Sequence, residues 1–142
     1  RDIKLNAGAE ALVQAAHSAE CKMQGHIYFT NPLDVTTIKV GKVGIDYTTE
    51  EAALFAEKIG LQLLATLKHE VGDLDRIKRI VKVVGFINCP DDFTQQPEVL
   101  NGCSNLFGAV LGERGVHARS AVGTNSLPRN VPVEIELITE VE

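Results

Sequence analysis

The chain lacks a surplus of positive charge, a cysteine pairing pattern, a long apolar run and any low-complexity tract, and each lack removes a class of function. It carries 14 Lys and Arg against 19 Asp and Glu, a formal net charge of −5. Nucleic-acid binders draw most of their affinity from a basic face that neutralises phosphates. Cations that are scattered or set beside acids argue against that class. The three cysteines, Cys21, Cys89 and Cys103, are odd in number and widely spaced, with no C-x-x-C and no neighbouring histidine pair. They supply neither a disulfide framework nor a zinc site, and buried reduced thiols are expected. No apolar stretch approaches the roughly 20 residues that span a bilayer. The opening Arg-Asp-Ile-Lys-Leu-Asn also lacks the apolar core of a signal peptide. A soluble, cytoplasmic protein is the expectation, with no membrane and no nucleic acid among its partners.

At 142 residues, 44% hydrophobic and 23% charged, the chain suits a single globular domain over residues 1–142. Leu12, Ala16, Ala19 and Met23 recur at helical spacing, and His26 to Thr30 reads as a short strand closed by Asn31-Pro32. Val35 to Asp46, broken by Gly41 and Gly44, reads as an irregular edge strand or a loop. Its G-x-x-G has neither a preceding apolar strand nor a following Lys-Ser/Thr, so a phosphate cradle is not expected. Thr48-Thr49-Glu50-Glu51 is a capping box with acids where the helix dipole favours them. Ala52, Phe55, Ala56, Ile59, Leu63 and Leu67 continue it as one apolar stripe, predicting a helix over about 49–69. Lys68 and His69 suit its C-terminal end, and Gly72 stops it.

Ile77 to Asn88 is almost continuously apolar and rich in β-branched residues, the pattern of a central strand covered on both sides. A second helix is predicted from about Pro97 to Leu111, with Val99, Leu100, Cys103, Leu106, Phe107 and Val110 inward. His117 to Glu136 then reads as two strands joined by a turn at Asn125-Ser126-Leu127-Pro128. The first carries Arg119 among small residues. The second places Val131, Val133, Ile135 and Leu137 on one face and Glu134 and Glu136 on the other. The whole predicts an α+β two-layer sandwich, two helices on one face of a mixed sheet. Its uncovered face suggests burial against further copies in a closed symmetric ring.

These segments carry a resemblance. Gly41-Lys42-Val43-Gly44, Val81 to Asn88, Asp92-Phe93-Thr94-Gln95-Gln96-Pro97, Val99-Leu100-Asn101-Gly102, His117-Ala118-Arg119-Ser120-Ala121-Val122-Gly123 and Leu127 to Glu136 resemble the Rid family. These are the YjgF-type reactive-intermediate deaminases, also labelled L-PSP endoribonuclease. The resemblance implies a chorismate-mutase-like fold and a homotrimer with clefts between subunits. It also implies hydrolysis of 2-enamine and 2-imine acids to 2-keto acids and ammonia, without metal or organic cofactor. On the matching positions, Arg119 grips the substrate carboxylate and Glu134 positions or activates water. Asn101 lines the pocket, Ala121 stands two residues after the arginine where relatives commonly carry Cys, and His117 shares the face of Arg119 at the pocket mouth.

Relatives usually carry Ser-Gly-Gln after the first buried strand and a tyrosine in Gly-x-Tyr. Here that strand reads Ile27-Tyr28-Phe29-Thr30-Asn31-Pro32, and neither Tyr28 nor Tyr47 sits in that context. Two other readings follow: a trimeric binder of small molecules or proteins without turnover, motivated by that strand, and a ribonuclease, resting on the older label. The acidic charge and the lack of a catalytic histidine pair weigh against the second.

Overall fold

The capping box forms as its residues dictate. Thr48 Oγ1 accepts the Glu51 N–H at 3.1 Å while the Glu51 carboxylate accepts the Thr48 N–H at 2.8 Å. Helix α1 therefore starts at Thr49 and runs to Val71, where Gly72 at φ +88° donates its N–H to Lys68 O. The last turn extends beyond the predicted end by two residues, within the ordinary fraying of helix ends. Thr48→Ala removes the hydroxyl that accepts the Glu51 N–H, while the backbone N–H at position 48 can still donate to the Glu51 carboxylate. The substitution is expected to cost about 1 kcal/mol, read as a lower denaturant midpoint at unchanged slope.

The computed structural model describes residues 39–142 throughout, and before them the backbone of three short strands, β1 (Ile27–Tyr28), β2 (Thr30–Asn31) and β3 (Asp34–Ile38). The helix predicted around Leu12 to Met23, the Cys21 thiol and the rest of the first predicted strand lie outside the described residues. Strand β4 (Ile77–Asn88), helix α2 (Gln96–Leu111), strand β5 (Ala118–Thr124) and strand β6 (Val133–Val141) complete the order. The main sheet runs β1-β6-β4-β5, and β2 pairs with β3 separately. β4 is antiparallel to β6 and parallel to β5, so the sheet is mixed and β4 is internal to it.

Register determines the layers. Val83, Gly85 and Ile87 of β4 stand opposite Leu137, Ile135 and Val133 of β6, and this row meets the helices. Ile59 and Leu64 of α1 and Val99, Leu100, Cys103 and Phe107 of α2 close over it, all fully buried. The α+β two-layer arrangement is as expected: each helix buries one stripe and the sheet buries one face. Gly85 lets α2 settle tightly, since a Cβ there would lie 2.7 Å from Leu100 Cδ1. On the other face Val122 and Ile138 are exposed and Val84 and Phe86 half-buried.

One expectation is corrected. β5 and β6 follow each other along the chain but are not neighbours, because β4 lies between them. A strand parallel to β4 needs a crossover. α2 and the 3₁₀ turn Gly112–Gly115 provide it, so β5 joins the far edge. The return to β6 passes the end of β4, where Asn88 Nδ2 donates to Asn130 Oδ1 (3.0 Å) and Val131 O (3.2 Å). Asn88 Oδ1 accepts from Lys42 Nζ at 2.7 Å, and Lys42 also donates to Asn125 O. A buried amide thus ties the 41–47 turn to the segment that returns to β6, with both ends of its side chain hydrogen-bonded. No helix among the described residues is long and apolar enough to cross a membrane.

Candidate functional site

β5 lies at the sheet edge, and alternation sets Arg119, Ala121 and Gly123 on its helix-facing side, level with Val83, Gly85 and Ile87. Opposite them α2 presents Pro97, Asn101 and Ser104, spaced four and three apart on one stripe. Arg119 spans the gap. Its Nη1 donates to Ser104 Oγ at 3.1 Å, and its Nη2 donates to Asn101 Oδ1 at 2.8 Å and, at 3.5 Å, to Pro97 O. The residue is exposed, yet both terminal nitrogens are held by the helix. A guanidinium has five N–H donors. The Nε–H and a second Nη1–H make no bond among the described residues and remain for a ligand.

His117, half-buried just before β5, lies behind this pair. Its Nδ1 is 2.6 Å from Gly115 O and its Nε2 is 2.9 Å from Ser104 Oγ. A carbonyl can only accept, so Nδ1 carries the proton and, in the neutral ring, Nε2 accepts from the serine hydroxyl. Phe107 packs edge-on against the ring, centroids 5.9 Å apart. Cys103, next to Ser104, faces the core: burial pushes its thiol well above the ordinary range, with Arg119 pulling weakly the other way. It is therefore a packing residue and no nucleophile at neutral pH.

Farther along β5 a cleft of about 420 Å³ opens where β4 and β5 end, its walls including Cys89, Phe93, Gln96, Gly123 and Asn125. Gly123 has no room for a side chain, because a Cβ would lie 2.8 Å from Cys89 Sγ. Among the described residues no three His, Cys, Asp or Glu side chains are gathered to hold a metal ion.

Asn101 meets Arg119 directly, Ala121 follows it in the same row, and His117 reaches it through Ser104. Glu134 does not join them. It stands opposite Phe86, three residues along β4 from Val83 and so on the face away from the helices. It lies two strands from Arg119 in the sheet order and is 6% exposed, so it is no wet-face residue. Glu136, on the same face, is half-buried. Ser104 went unread in the sequence. Its signal is a hydroxyl in mid-helix, where serine is a poor helix former, three residues after Asn101 on the same stripe.

Residues 21–141 match the family described as "YjgF/chorismate_mutase-like, putative endoribonuclease". Over 141 residues the chain is 37% identical to Protein TCP17 of Trypanosoma cruzi, covering 98% of this chain and 88% of that protein. The fold matches that of Atu1372, a protein of unknown function from Agrobacterium tumefaciens, with a TM-score of 0.75, 31% identity and 94% of each chain covered. A structure from Shewanella oneidensis, described as a "putative endoribonuclease", gives 0.71 at 30% identity over 74% of this chain and 70% of that one. With two helices laid on a mixed sheet and a match that runs through both, the chain belongs to the YjgF/Rid family.

Proposed function

We propose that this protein hydrolyses reactive 2-imine and 2-enamine acids, such as 2-iminopropionate and 2-aminoacrylate, to the 2-keto acid and ammonia. The site lies between copies of a trimer. The observation that carries this reading is Arg119, an exposed cation clamped by Asn101 and Ser104 with part of its fork left over. A planar fork suits a carboxylate, stays charged at any working pH and, once clamped, loses little freedom on binding. Beside a carboxylate so held, the C=N carbon of an α-imino acid lies one bond away. Protonated, that carbon is already electrophilic, so catalysis asks for orientation and proton transfer rather than a strong nucleophile or a cofactor.

Water adds to that carbon while a base takes its proton, giving a carbinolamine. The carbinolamine then collapses to the keto acid and ammonia. Glu134 is the base in this reading, and since it faces away from Arg119 within one protomer, it comes from an adjoining copy seated over the edge of β5. Half-buried Val84 and Phe86 and exposed Val122 give that face apolar surface for such a neighbour.

The test is release of ammonia and pyruvate from 2-iminopropionate generated in place by an amino-acid oxidase. Arg119→Ala is expected to lose about a hundredfold in kcat/KM, the value of two charge-assisted hydrogen bonds at about 1.5 kcal/mol each. Arg119→Lys keeps the charge without the fork and falls between. Equal rates for parent and Arg119→Ala would remove the proposal.

A further inference from the structure

Ser104 ties the clamped guanidinium to a histidine, and a site that expels ammonia needs a proton source as well as a base. A serine hydroxyl offers one O–H and two lone pairs. Arg119 Nη1–H occupies one lone pair and His117 Nε2 meets a second position, leaving the third for whatever Arg119 holds. His117 cannot turn away, because Nδ1–H is engaged by Gly115 O at 2.6 Å and the ring packs on Phe107. The same positions serve both charge states of the ring. When His117 is neutral, Ser104 donates to Nε2. When it is protonated, Nε2–H donates to Ser104 and the serine O–H is released toward the ligand.

We propose that Ser104 and His117 form the general-acid half of the site, delivering a proton to the departing amine. The proposal rests on the imine-hydrolase reading. In the step it assigns, the carbinolamine nitrogen takes the proton of Ser104 Oγ, and Ser104 takes the proton of His117 Nε2. The C–N bond breaks with its electron pair leaving on nitrogen as ammonia. The base first returns the water's proton to solvent and then takes the proton of the carbinol hydroxyl, and C=O forms. His117 ends neutral, the base ends protonated, and solvent restores both. Ser104 is the catalytic residue of this pair, and His117 acts through it.

Two measurements test it. In turnover of 2-iminopropionate, Ser104→Ala and His117→Gln are expected to lower kcat about a hundredfold with KM nearly unchanged, the range for a lost general acid. Ser104→Thr, which keeps the hydroxyl, is expected to recover much of that loss. Independently of turnover, protein with ¹⁵N-labelled histidine is expected to show the His117 proton on Nδ1. Pyruvate should move that signal in the parent but not in Ser104→Ala. Unchanged kcat in both variants, a proton on Nε2, or an equal pyruvate shift in Ser104→Ala each overturns the relay. If the parent itself shows no turnover, the hydrolase reading falls and the resonance arm alone decides: a Ser104-dependent shift sustains the relay, and its absence ends it.

Discussion

Mixing two inactive variants of this chain, Arg119→Ala and Glu134→Gln, is expected to restore activity. In the proposed reaction each alone removes one half of the site, carboxylate grip in the first and proton acceptance in the second, and each is expected to lose about a hundredfold or more. Arg119 points to the helix side of the edge strand, whereas Glu134 points through the opposite face two strands away. Within one protomer the two side chains thus stand on opposite faces of the sheet. A site using both therefore needs a second copy. A heterologous contact that closes into a ring provides one at every seam, where residues of one copy meet different residues of the next. When the two variants are unfolded together and reassembled at equal amounts, about one seam in four joins an intact Arg119 to an intact Glu134. The mixture is expected to show about that fraction of the parent rate, while each variant refolded alone stays inactive. A mixture no better than its components would show that the two side chains do not share a site across copies.

The parts of this fold legible in the sequence are those whose cause is local. Thr48 and Glu51 specify a helix start by reciprocal hydrogen bonds between residues three apart, so the start was readable to the residue. β4 was readable as a strand from its nearly continuous run of β-branched and apolar residues, although within the protomer only the Val83, Gly85 and Ile87 row is buried and Val84 and Phe86 on the other face are half-buried. The layout of the last strands was not, because nothing between Thr124 and Val133 says which strand β5 will adopt as a neighbour. That choice is made by the α2 crossover packing from β4 to the sheet edge.

The site divides the same way. Arg119 stood out as a lone cation among small residues, its partner Asn101 came with the family pattern, and His117 came from its two-residue spacing to Arg119 along one face. Ser104 was silent, because a helix serine reveals its purpose only when a side chain from another element reaches it. Glu134 was readable as a residue but not as a neighbour. Alternation along β6 sets its face, and only the placement of β4 between the strands separates it from Arg119.

Two glycines on α2, six residues apart, are expected to answer the same substitution with opposite signs. A Cβ on Gly102 would lie 1.9 Å from Ala53 O and 2.8 Å from Ala53 C, backbone atoms of α1 that no rotamer change can move. Gly60 of α1 makes the crossing close from the other side, since a Cβ there would lie 2.9 Å from Leu106 Cδ2 and 3.2 Å from Cys103 Sγ. Gly108 faces nothing within 4 Å. Alanine in place of helical glycine contributes about 1 kcal/mol through the unfolded chain and helix propensity. At Gly108 that term acts alone, and Gly108→Ala is expected to stabilise by about that amount. At Gly102 the helices must part by more than an ångström, and overpacking of that kind costs about 3 kcal/mol or more. Gly102→Ala is therefore expected to destabilise by about 2 kcal/mol net, read by denaturant titration of the two variants side by side. The consequence reaches the site. Asn101 and Ser104 flank Gly102, so a helix pushed away from α1 moves the two acceptors that hold Arg119. Displacing a positioned group by about 1 Å costs up to about a hundredfold in rate. Gly102→Ala is thus expected to lose turnover under conditions where it is still folded, while Gly108→Ala keeps the parent rate. Equal stabilities for the two variants would mean that the helices do not cross this closely.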